Sequence, residues 1–498
     1  MLAQQTELIL SPFIEIYDKV VPKDHKLRIL KEKIDFSFIR DEVKEKYSAK
    51  MGRCAEDPVR MFKYLFLKCL YGLSDRGLID RCMSDMAFKY FLDLSPESDV
   101  IDPSLLSVFR RQRLVDMDLL DYLISRSVRT AVEMGVIKSR TLIIDATHTN
   151  SKYNPYAPLE LLQLRSKNLR KNIYASTKEP DTYRAMFPKK PTGKDLSEEI
   201  AYSRALISVI REKEIMIDVP VGVEALNLLE ETIGDIEDHF TVSVADADAR
   251  SGHKSKETGD FFGYKSHLAI TSELIVTAAQ ITSGEKADSQ ELKELVRKSK
   301  ENLGSTEEDK KVDNVLGDGA YGGDDNLKFA QKEGFTLYAR PNPMLYKSNE
   351  QKDDGFELNK DAGMYTCPAG HIAIGKSVIR YKKKGKGNDR LQFRFDPKKC
   401  QCCKLRDKCL SKGAKRRYYS IPIRTKEQNG QMEFSQTPEF KERIKERYKI
   451  EQKNAILKNV YGYRTTLSFG IESMRLQGAV AIYVSNIMRI LKLSENKA

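Results

Sequence analysis

The chain of 498 residues has no long apolar run, and none approaches the ~20 residues that a membrane-spanning helix needs. Residues 1–12 carry neither a basic start nor a cleavage signature, so we expect no signal peptide. Tryptophan is absent, which excludes nothing, and no internal repeat occurs. These absences predict a cytoplasmic protein with no membrane partner.

Acidic residues are fewer than basic ones, with 72 Asp and Glu against 85 Lys and Arg, so the formal net charge is +13. A basic excess of this size favours a polyanionic partner, and nucleic acid is the commonest one. The alternative is a protein that is basic throughout without binding nucleic acid. A chain of this length can bury a large core and is expected to form two or three domains.

Residues 1–135 are predicted to be all helical. Asp57-Pro58 and Asp102-Pro103 are typical helix starts, since aspartate caps the helix and proline suits its first turn. The second of these helices runs into a basic segment that includes Arg110 and Arg111, and we predict that both arginines contact DNA. A plain helical bundle with solvated charges is the alternative.

From residue 141 the pattern changes to strands. The run 141–147 alternates with a period of two and places Asp145 on the same face as Ile143 and Thr147. Residues 262–270 and 274–279 are predicted to form an antiparallel pair. The remaining predicted elements are a helix at about 289–302, a strand ending at Asp318, a helix at 324–334, a strand at 336–339 and helices from 438 to about 493.

Two stretches interrupt this order: a polar helical insertion, 155–240, and a loop-rich, cysteine-containing basic insertion, 345–435. Without them the order of elements is that of a ribonuclease-H-like fold, an α/β mixed sheet with helices. We therefore predict three parts: a helical N-terminal domain, 1–135; a catalytic core, 136–344 with 436–498; and the insertion 345–435.

Three carboxylates stand out in that order. In a ribonuclease-H-like sheet the first and fourth strands are neighbours, so Asp145 and Asp318 are expected to converge. The helix that carries Glu451 is expected to bring a third carboxylate. Hard cations such as Mg²⁺ or Mn²⁺ prefer oxygen ligands, and two ions ~4 Å apart can catalyse phosphodiester chemistry. We predict that these three residues bind two such ions.

The helix around Glu451 has a basic face, because Arg447 and Lys458 share the side of Glu451. We predict that Arg447 and Lys458 contact phosphates that flank the metal site. A solvated helix with internal ion pairs is the alternative. Glu472 is the rival for the third carboxylate.

These motifs together resemble those of bacterial insertion-sequence transposases of the DDE type, in the group with an InsH-like helical N-terminal domain. The resemblance rests on Leu73-Ser74-Asp75-Arg76 and Phe109-Arg110, Ile144-Asp145-Ala146-Thr147, Asp246 to Arg250, Gly263-Tyr264-Lys265, Ala287-Asp288-Ser289, Asp318-Gly319-Ala320-Tyr321 and Arg447-x3-Glu451-x6-Lys458. One departure is Ile444, where related transposases often have tyrosine.

The resemblance implies that Asp145, Asp318 and Glu451 are the catalytic triad of a metal-dependent transposase. Such an enzyme cleaves DNA at the terminal inverted repeats of its element, joins the freed ends to target DNA and acts as a dimer or larger assembly near the bacterial nucleoid. Two alternatives are a metal-dependent nuclease without strand transfer and a non-catalytic DNA-binding protein descended from a transposase.

Two smaller groups remain. Lys265 and His267 share one strand face, from which Lys265 is predicted to reach phosphate; for Asp246, Asp248 and Asp288, turn capping and surface charge are a sufficient explanation.

The cysteines form the second group. The spacing Cys400-x2-Cys403 allows both sulfurs to bind one tetrahedral metal ion. Cys367 or His371, together with Cys409, would complete the set of four ligands. We predict a structural Zn²⁺ held by Cys367, Cys400, Cys403 and Cys409, with free thiols or iron–sulfur ligation as alternatives. The other thiols, Cys54, Cys69 and Cys82, are predicted to be core residues.

Overall fold

We analysed the chain as a computed structural model. The structure describes residues 11–48, 54–114, 117–152, 157–177, 180–193, 195–215, 220–237, 246–255, 259–304, 311–341, 355–380 and 389–495. Most of the basic run 380–386 that the sequence draws attention to lies outside these residues.

Helices fill the N-terminal third, as predicted. The predicted capping is present: the side chains of Asp57 and Asp102 accept hydrogen bonds from the backbone N–H groups of Val59 and Ser104. The helices are α1 (Ile16–Val20), α2 (Lys26–Lys33), α3 (Phe38–Val43), α4 (Pro58–Tyr71), α5 (Asp75–Ser84), α6 (Met86–Phe91), α7 (Pro103–Arg113) and α8 (Leu119–Glu133).

A six-stranded mixed sheet follows. Its strands are β1 (Thr141–Asn150), β2 (Arg250–Ser255), β3 (Gly259–Thr271), β4 (Val276–Ser283), β5 (Asn314–Leu316) and β6 (Thr336–Tyr338). The order is β2-β3-β1-β5-β6, and β4 pairs with β3. The predicted antiparallel pair is present as β3 and β4, and both strands are longer than expected. Strand β2 was not predicted.

The predicted contact between the first and fourth core strands is present, because β1 pairs with β5 in parallel. Helices α13 (Leu292–Leu303) and α14 (Asp324–Glu333) connect the later strands. Near the C-terminus lie α18 (Pro438–Arg443), a 3₁₀ turn (Ile444–Arg447), α19 (Tyr448–Val460) and α20 (Ile471–Glu495). The predicted interruption of this helical region between Gly462 and Gly470 is therefore present.

The N-terminal helices and the sheet share one hydrophobic core. Helix α20 packs on α8, α4 and β4, so the last helix of the chain lies between the N-terminal helices and the sheet. The ring of Tyr483 on α20 lies within 5.8–6.4 Å of four N-terminal aromatic rings, those of Phe36, Phe38, Phe62 and Phe66. Aromatic clusters of this kind bury large areas and stabilise the contact between the elements that carry them.

Both insertions have cores of their own. The first contains α9 (Pro158–Ala175), α10 (Pro180–Met186), α11 (Leu196–Glu212) and α12 (Pro220–Glu237), whose apolar residues pack on one another. The second, expected to be loop-rich, contains β7 (Glu357–Asn359), β8 (Met364–Thr366), β9 (Gly375–Ile379), β10 (Arg390–Arg394), α15 (Pro397–Gln401), α16 (Arg406–Cys409), β11 (Tyr418–Pro422) and α17 (Lys426–Phe434).

Helix α17 lies at the end of the second insertion but packs on the central core. The side chain of Gln431 donates hydrogen bonds to the carbonyl oxygens of Leu337 and Ala339, at the end of β6. The separate core of the second insertion is therefore formed by residues up to β11. Among the residues described, no helix is both long enough and apolar enough to cross a bilayer.

Asn486 is the buried polar residue that connects these layers. Its amide group pairs with both backbone groups of Val276, at 2.9 and 2.8 Å, where strand β4 begins. The same side chain donates to Ser127 Oγ of α8 at 2.9 Å and accepts from Lys453 Nζ of α19 at 3.3 Å. Burial lowers the pKa of Lys453 to about 7, with the nearby charge of Arg489 acting in the same direction.

Asn486→Ala is therefore expected to destabilise the protein by ~2–4 kcal/mol, because it leaves several buried donors and acceptors without partners. Asn302→Ala is the matched control, since Asn302 donates a single bond to the same strand, at Thr277 O. That change should cost ~1 kcal/mol. Thermal or denaturant unfolding followed by circular dichroism measures both, and equal losses for the two variants would contradict the special role of Asn486.

Candidate active site

The parallel pairing of β1 and β5 places two carboxylates side by side. Ile143 is the register partner of Leu316, and Asp145 and Asp318 each lie two residues further along their strands. Because neighbouring parallel strands advance together, the two carboxylates lie at the same level across the pair, where β5 ends beside the middle of β1. The structure thus brings together the two aspartates that the sequence places far apart.

Asp318 is held by the turn that follows β5. Its side chain accepts a hydrogen bond from the backbone N–H of Ala320 at 2.8 Å and caps a 3₁₀ turn, Gly319–Tyr321. A Cβ atom at Gly317 would lie 2.7 Å from the ring of Tyr321, so glycine is needed for the ring to pack there. The Gly-Ala-Tyr sequence after Asp318 therefore shapes the floor of the site.

Both aspartates lie in surroundings that disfavour their charged forms. Burial raises the pKa of Asp145 to about 7; the charge of Arg447 opposes this shift and that of Asp318 adds to it. Burial also raises the pKa of Asp318, against the opposing effect of the Ala320 N–H group. Two crowded, poorly solvated carboxylates form a site that a cation would stabilise.

Glu451 lies further out. It occupies the first turn of α19, its side chain is 62% exposed, and its Oε1 atom accepts a hydrogen bond from Arg447 Nη2 at 3.2 Å. The same nitrogen lies 3.9 Å from Asp145 Oδ2. The guanidinium group of Arg447 therefore stands between the third carboxylate and the two aspartates.

Orphaned polar atoms surround this edge of the sheet. Asn454, on α19, approaches Asp145 Oδ2 through its amide nitrogen at 3.5 Å, while its buried Oδ1 atom has no hydrogen-bond partner within the described ranges. The hydroxyl of Tyr321 is likewise buried without a partner there. Burial and the charges of Asp145, Asp288 and Asp318 all raise the pKa of Tyr321.

A fourth carboxylate, Asp288, belongs to this neighbourhood. Lys265 Nζ donates to Asp288 Oδ1 at 3.0 Å, and the buried Nδ1 atom of His267 lies 3.8 Å from the same oxygen. The negative charge of Asp288 raises the pKa values of Asp145 and Asp318. Turn capping and surface charge, the explanation offered for Asp288 from the sequence, omit this role. The sequence signal that could have identified Asp288 is its position between strand β4 and helix α13, shortly after a core strand.

These surroundings fit divalent metal ions chemically. Carboxylate oxygens and the free amide oxygen of Asn454 are the hard ligands that Mg²⁺ and Mn²⁺ prefer. Across the ranges that the structure covers, no three His, Cys, Asp or Glu side chains are already arranged to hold an ion. At this site Arg447 Nη2 lies between Glu451, at 3.2 Å, and Asp145, at 3.9 Å.

The predicted DNA-contacting residues occupy varied settings. Arg111 is exposed, whereas Arg110 forms a two-bond ion pair with Asp75, at 2.6 and 3.0 Å. Lys265 has only 13% of its side chain exposed and also donates to Lys286 O. Lys458 lies 3.4 Å from His148 Nδ1, beyond Asp145 along β1.

Three other acidic residues lie apart from the candidate metal site. The rival carboxylate, Glu472, pairs with Arg475 at 2.5 Å in the first turn of α20. Asp246 is buried and accepts hydrogen bonds from Ser151 Oγ, Tyr264 Oη and the backbone N–H of Gly470. Asp248 accepts a hydrogen bond from the backbone N–H of Ile471. The two aspartates therefore bind backbone N–H groups at the start of α20 and cap this helix, although they lie far before it in the sequence.

The cysteines also divide into groups. Cys82 is buried and Cys69 partly buried, but Cys54 is exposed, so the prediction that Cys54 is a core residue is wrong. Residue 54 precedes α4 in an irregular segment and is exposed to solvent. Cys367, Cys400, Cys403 and Cys409 all line one pocket in the second insertion.

Comparison with known protein families gives two matches. Residues 15–112 match a family model described as "Transposase domain (DUF772)", which covers most of the N-terminal helices. Residues 366–491 match one described as "Transposase DDE domain", which covers the cysteine-lined pocket and Glu451. Neither match extends over Asp145 or Asp318. No curated protein and no solved structure gives a significant match.

The shifted pKa of Asp145 predicts how stability depends on pH. In the absence of divalent cations, ionising this buried carboxyl destabilises the folded state. The penalty is absent below the unfolded-state pKa of ~4, grows as pH rises and is complete above about 7. Asp145→Asn removes the charge, so it should raise the melting temperature by several degrees at pH 8 and have little effect at pH 4.

Thermal unfolding in EDTA at several pH values measures this difference. Glu472→Gln serves as the control, because its exposed carboxylate lies outside the site. An Asp145→Asn effect that does not change between pH 4 and 8 would contradict the prediction.

Proposed function

We propose that this chain, two segments of which match transposase families, is an insertion-sequence transposase of the DDE type that cleaves DNA at the ends of its element and joins those ends to target DNA. Asp145, Asp318 and Glu451 are its catalytic carboxylates. The observation that carries the proposal is the side-by-side placement of Asp145, within β1, and Asp318, just after the parallel strand β5, both with raised pKa values.

We assign the core to the ribonuclease-H-like fold on the basis of its strand order. Leaving out β2, the order is β4-β3-β1-β5-β6, with β1, β5 and β6 parallel and β3 antiparallel to both of its long neighbours, β1 and β4. This places the first aspartate on the central strand and the second on its parallel neighbour. Helix α19 then crosses β1 and carries Glu451.

Asp145, Asp318 and Glu451 would hold Mg²⁺ or Mn²⁺ ions, two in the full assembly, with the amide oxygen of Asn454 as a further donor. When bound, such ions activate a water or a 3′-hydroxyl and stabilise the leaving oxygen of the phosphodiester. The carboxylates then serve as ligands rather than nucleophiles, so no covalent link between the protein and DNA is expected.

Arg447 has the central positioning role in this proposal. Its guanidinium group contacts both Glu451 and Asp145, and the Nε atom is buried without a hydrogen-bond partner in the part described. A DNA phosphate offers two non-bridging oxygens, which the planar guanidinium group can bind with two parallel hydrogen bonds. Movement of Arg447 onto phosphate would release Glu451 toward the two aspartates.

Asp288 adds a further negative charge close to Asp145 and Asp318. It neutralises Lys265 and faces His267, whose pKa burial lowers to about 4, so that the imidazole is neutral at physiological pH. A neutral histidine and a paired lysine leave the negative charge at this edge of the sheet largely uncompensated. That excess of negative charge favours cation binding.

The N-terminal helices are proposed to bind the terminal inverted repeats, and the chain to act as a dimer or larger assembly that holds two ends. Exposed Arg111 is the better candidate for a DNA contact, whereas Arg110 is committed to Asp75. The basic surplus of the chain supplies the attraction to phosphate that such binding requires.

The catalytic assignment predicts that Asp145→Asn, Asp318→Asn and Glu451→Gln each reduce end cleavage and joining by at least ~100-fold, because each removes a metal-ligand charge. The assay uses purified protein, a labelled DNA carrying the element's end and Mg²⁺, with products resolved on a gel. Glu472→Gln is the matched control and should retain activity.

The same assay separates the alternatives. Unchanged joining by Asp145→Asn would refute the metal site. Wild-type protein that cuts but never joins would support the nuclease alternative, and protein that binds ends without cutting them would support the non-catalytic one.

The two neighbouring arginines predict opposite outcomes. Arg111→Ala should weaken binding to end-containing DNA, lower the salt dependence of that binding by about one counterion and leave the melting temperature unchanged. Arg110→Ala should lower the melting temperature instead, because Asp75 and Lys68 lose part of their ion network. Fluorescence anisotropy over a salt series, together with thermal unfolding, tests both; loss of stability in Arg111→Ala would contradict the assignment.

A further inference from the structure

Four of the five cysteines in the second insertion surround one pocket. The sulfur-bearing residues Cys367, Cys400, Cys403 and Cys409 all line it, together with His371 and Arg417. They come from three separate segments: the turn after β8, helix α15 with the loop that follows it, and helix α16. Residues this far apart in sequence converge here because β8, β10 and β11 pack their aromatic side chains into one small core.

The four thiols are close enough to affect one another. All four line the same pocket, and Arg417 lines it with them. Arg417 also donates to the backbone oxygen of Cys409 at 3.2 Å. Arg417 therefore places a positive charge beside the cluster, and thiolates are the forms of cysteine that bind metal ions.

The backbone around two of these cysteines adds a second line of support. Cys403 Sγ accepts a hydrogen bond from the backbone N–H of Leu405 at 3.4 Å, a contact that stabilises negative charge on sulfur. The Cys367-Pro-Ala-Gly-His371 segment folds into a tight turn, in which Gly370 N donates to Cys367 O and Cys367 N donates to His371 O. Both cysteines are thus presented from turns that hold the backbone in place.

The size of the insertion's core gives the thiols a structural purpose. Within the stretches 355–380 and 389–435 that the structure describes, its core has five buried apolar residues: Tyr365, Ala373, Phe393, Phe395 and Tyr419. A core this small needs an additional cross-link, usually disulfides or a metal ion. All eight cysteines of the chain are free, so disulfides do not supply that link.

We propose that Cys367, Cys400, Cys403 and Cys409 together bind one structural zinc ion that stabilises the second insertion. Four thiolates close the coordination sphere, which makes the ion structural rather than catalytic. His371 lines the pocket but is not a ligand. Cys402 is exposed, and the pocket-lining residues do not include it.

Zinc binding also requires a small rearrangement. No set of three His, Cys, Asp or Glu side chains within the described ranges is already arranged around a metal position. Zinc–sulfur bonds are ~2.3 Å long, so the ion must draw the sulfurs inward. The four-residue helix that carries Cys409 and the loop that carries Cys403 lie on the surface, where such a shift disturbs little packing.

The first test is the metal content of the full-length protein. The protein is purified without chelators, and its metals are measured by inductively coupled plasma mass spectrometry. We expect about one zinc ion per chain. Wild-type protein without zinc, or with iron in its place, overturns the proposal. The measurement needs neither DNA nor Mg²⁺, so it stands or falls independently of the proposed transposition chemistry.

Substitutions then identify the ligands. Cys403→Ser should lose zinc, whereas Cys402→Ser, one residue away, should retain it; His371→Ala should also retain zinc. If Cys402→Ser loses as much zinc as Cys403→Ser, the ligand set is wrong, and loss of zinc in His371→Ala likewise contradicts the four-cysteine assignment.

A complementary measurement covers the case in which Cys403→Ser fails to fold. Zinc is removed from the wild-type protein by a chelator under reducing conditions, and Co²⁺ is added to follow the absorption bands of cobalt–thiolate ligation. Bands typical of tetrahedral four-sulfur ligation support the proposal. Their absence in a protein that regains its circular dichroism spectrum overturns it.

Discussion

The parallel pairing of β1 with β5 is the constraint on which the candidate site depends. The pairing advances two distant segments in register, so that Asp145 and Asp318 leave the sheet at the same edge. A slip of one residue would turn one carboxylate to the opposite face, because side chains alternate along a strand. Helix α19, the 3₁₀ turn of Asp288 and the ring of Tyr321 are all arranged around that edge.

The site is unfavourable for the isolated protein. Two buried carboxylates with raised pKa values lie beside a third, Asp288, and the nearest cation, Arg447, is shared with Glu451. The surrounding core keeps this arrangement in place. Tyr483 and Asn486 of α20 connect the N-terminal helices, strand β4 and helix α19, so most of the chain contributes to holding the edge.

Local sequence predicted much of this correctly, because capping and periodicity depend on neighbouring residues. Asp57 and Asp102 cap the helices predicted for them, and β1 begins at Thr141 as the alternation of residues indicates. The β1–β5 contact was also predicted, but only through the order of elements, which is that of a ribonuclease-H-like fold, where the first and fourth strands are neighbours. The short strands of the second insertion were missed because they carry little alternation and exposed side chains.

Side-chain partners were decided by the tertiary structure alone. From the sequence, Arg110 and Arg111 are equivalent; in the fold Asp75 takes one and leaves the other exposed. Asp246 is one acidic residue among 72 until the fold places it against Tyr264 and the start of α20. The sequence by itself determined the capped helices, the longer core strands, the candidate carboxylates and the cysteine spacing, because these depend on residues close together in the chain. Only the tertiary structure decided which charges meet, because that depends on how distant segments pack.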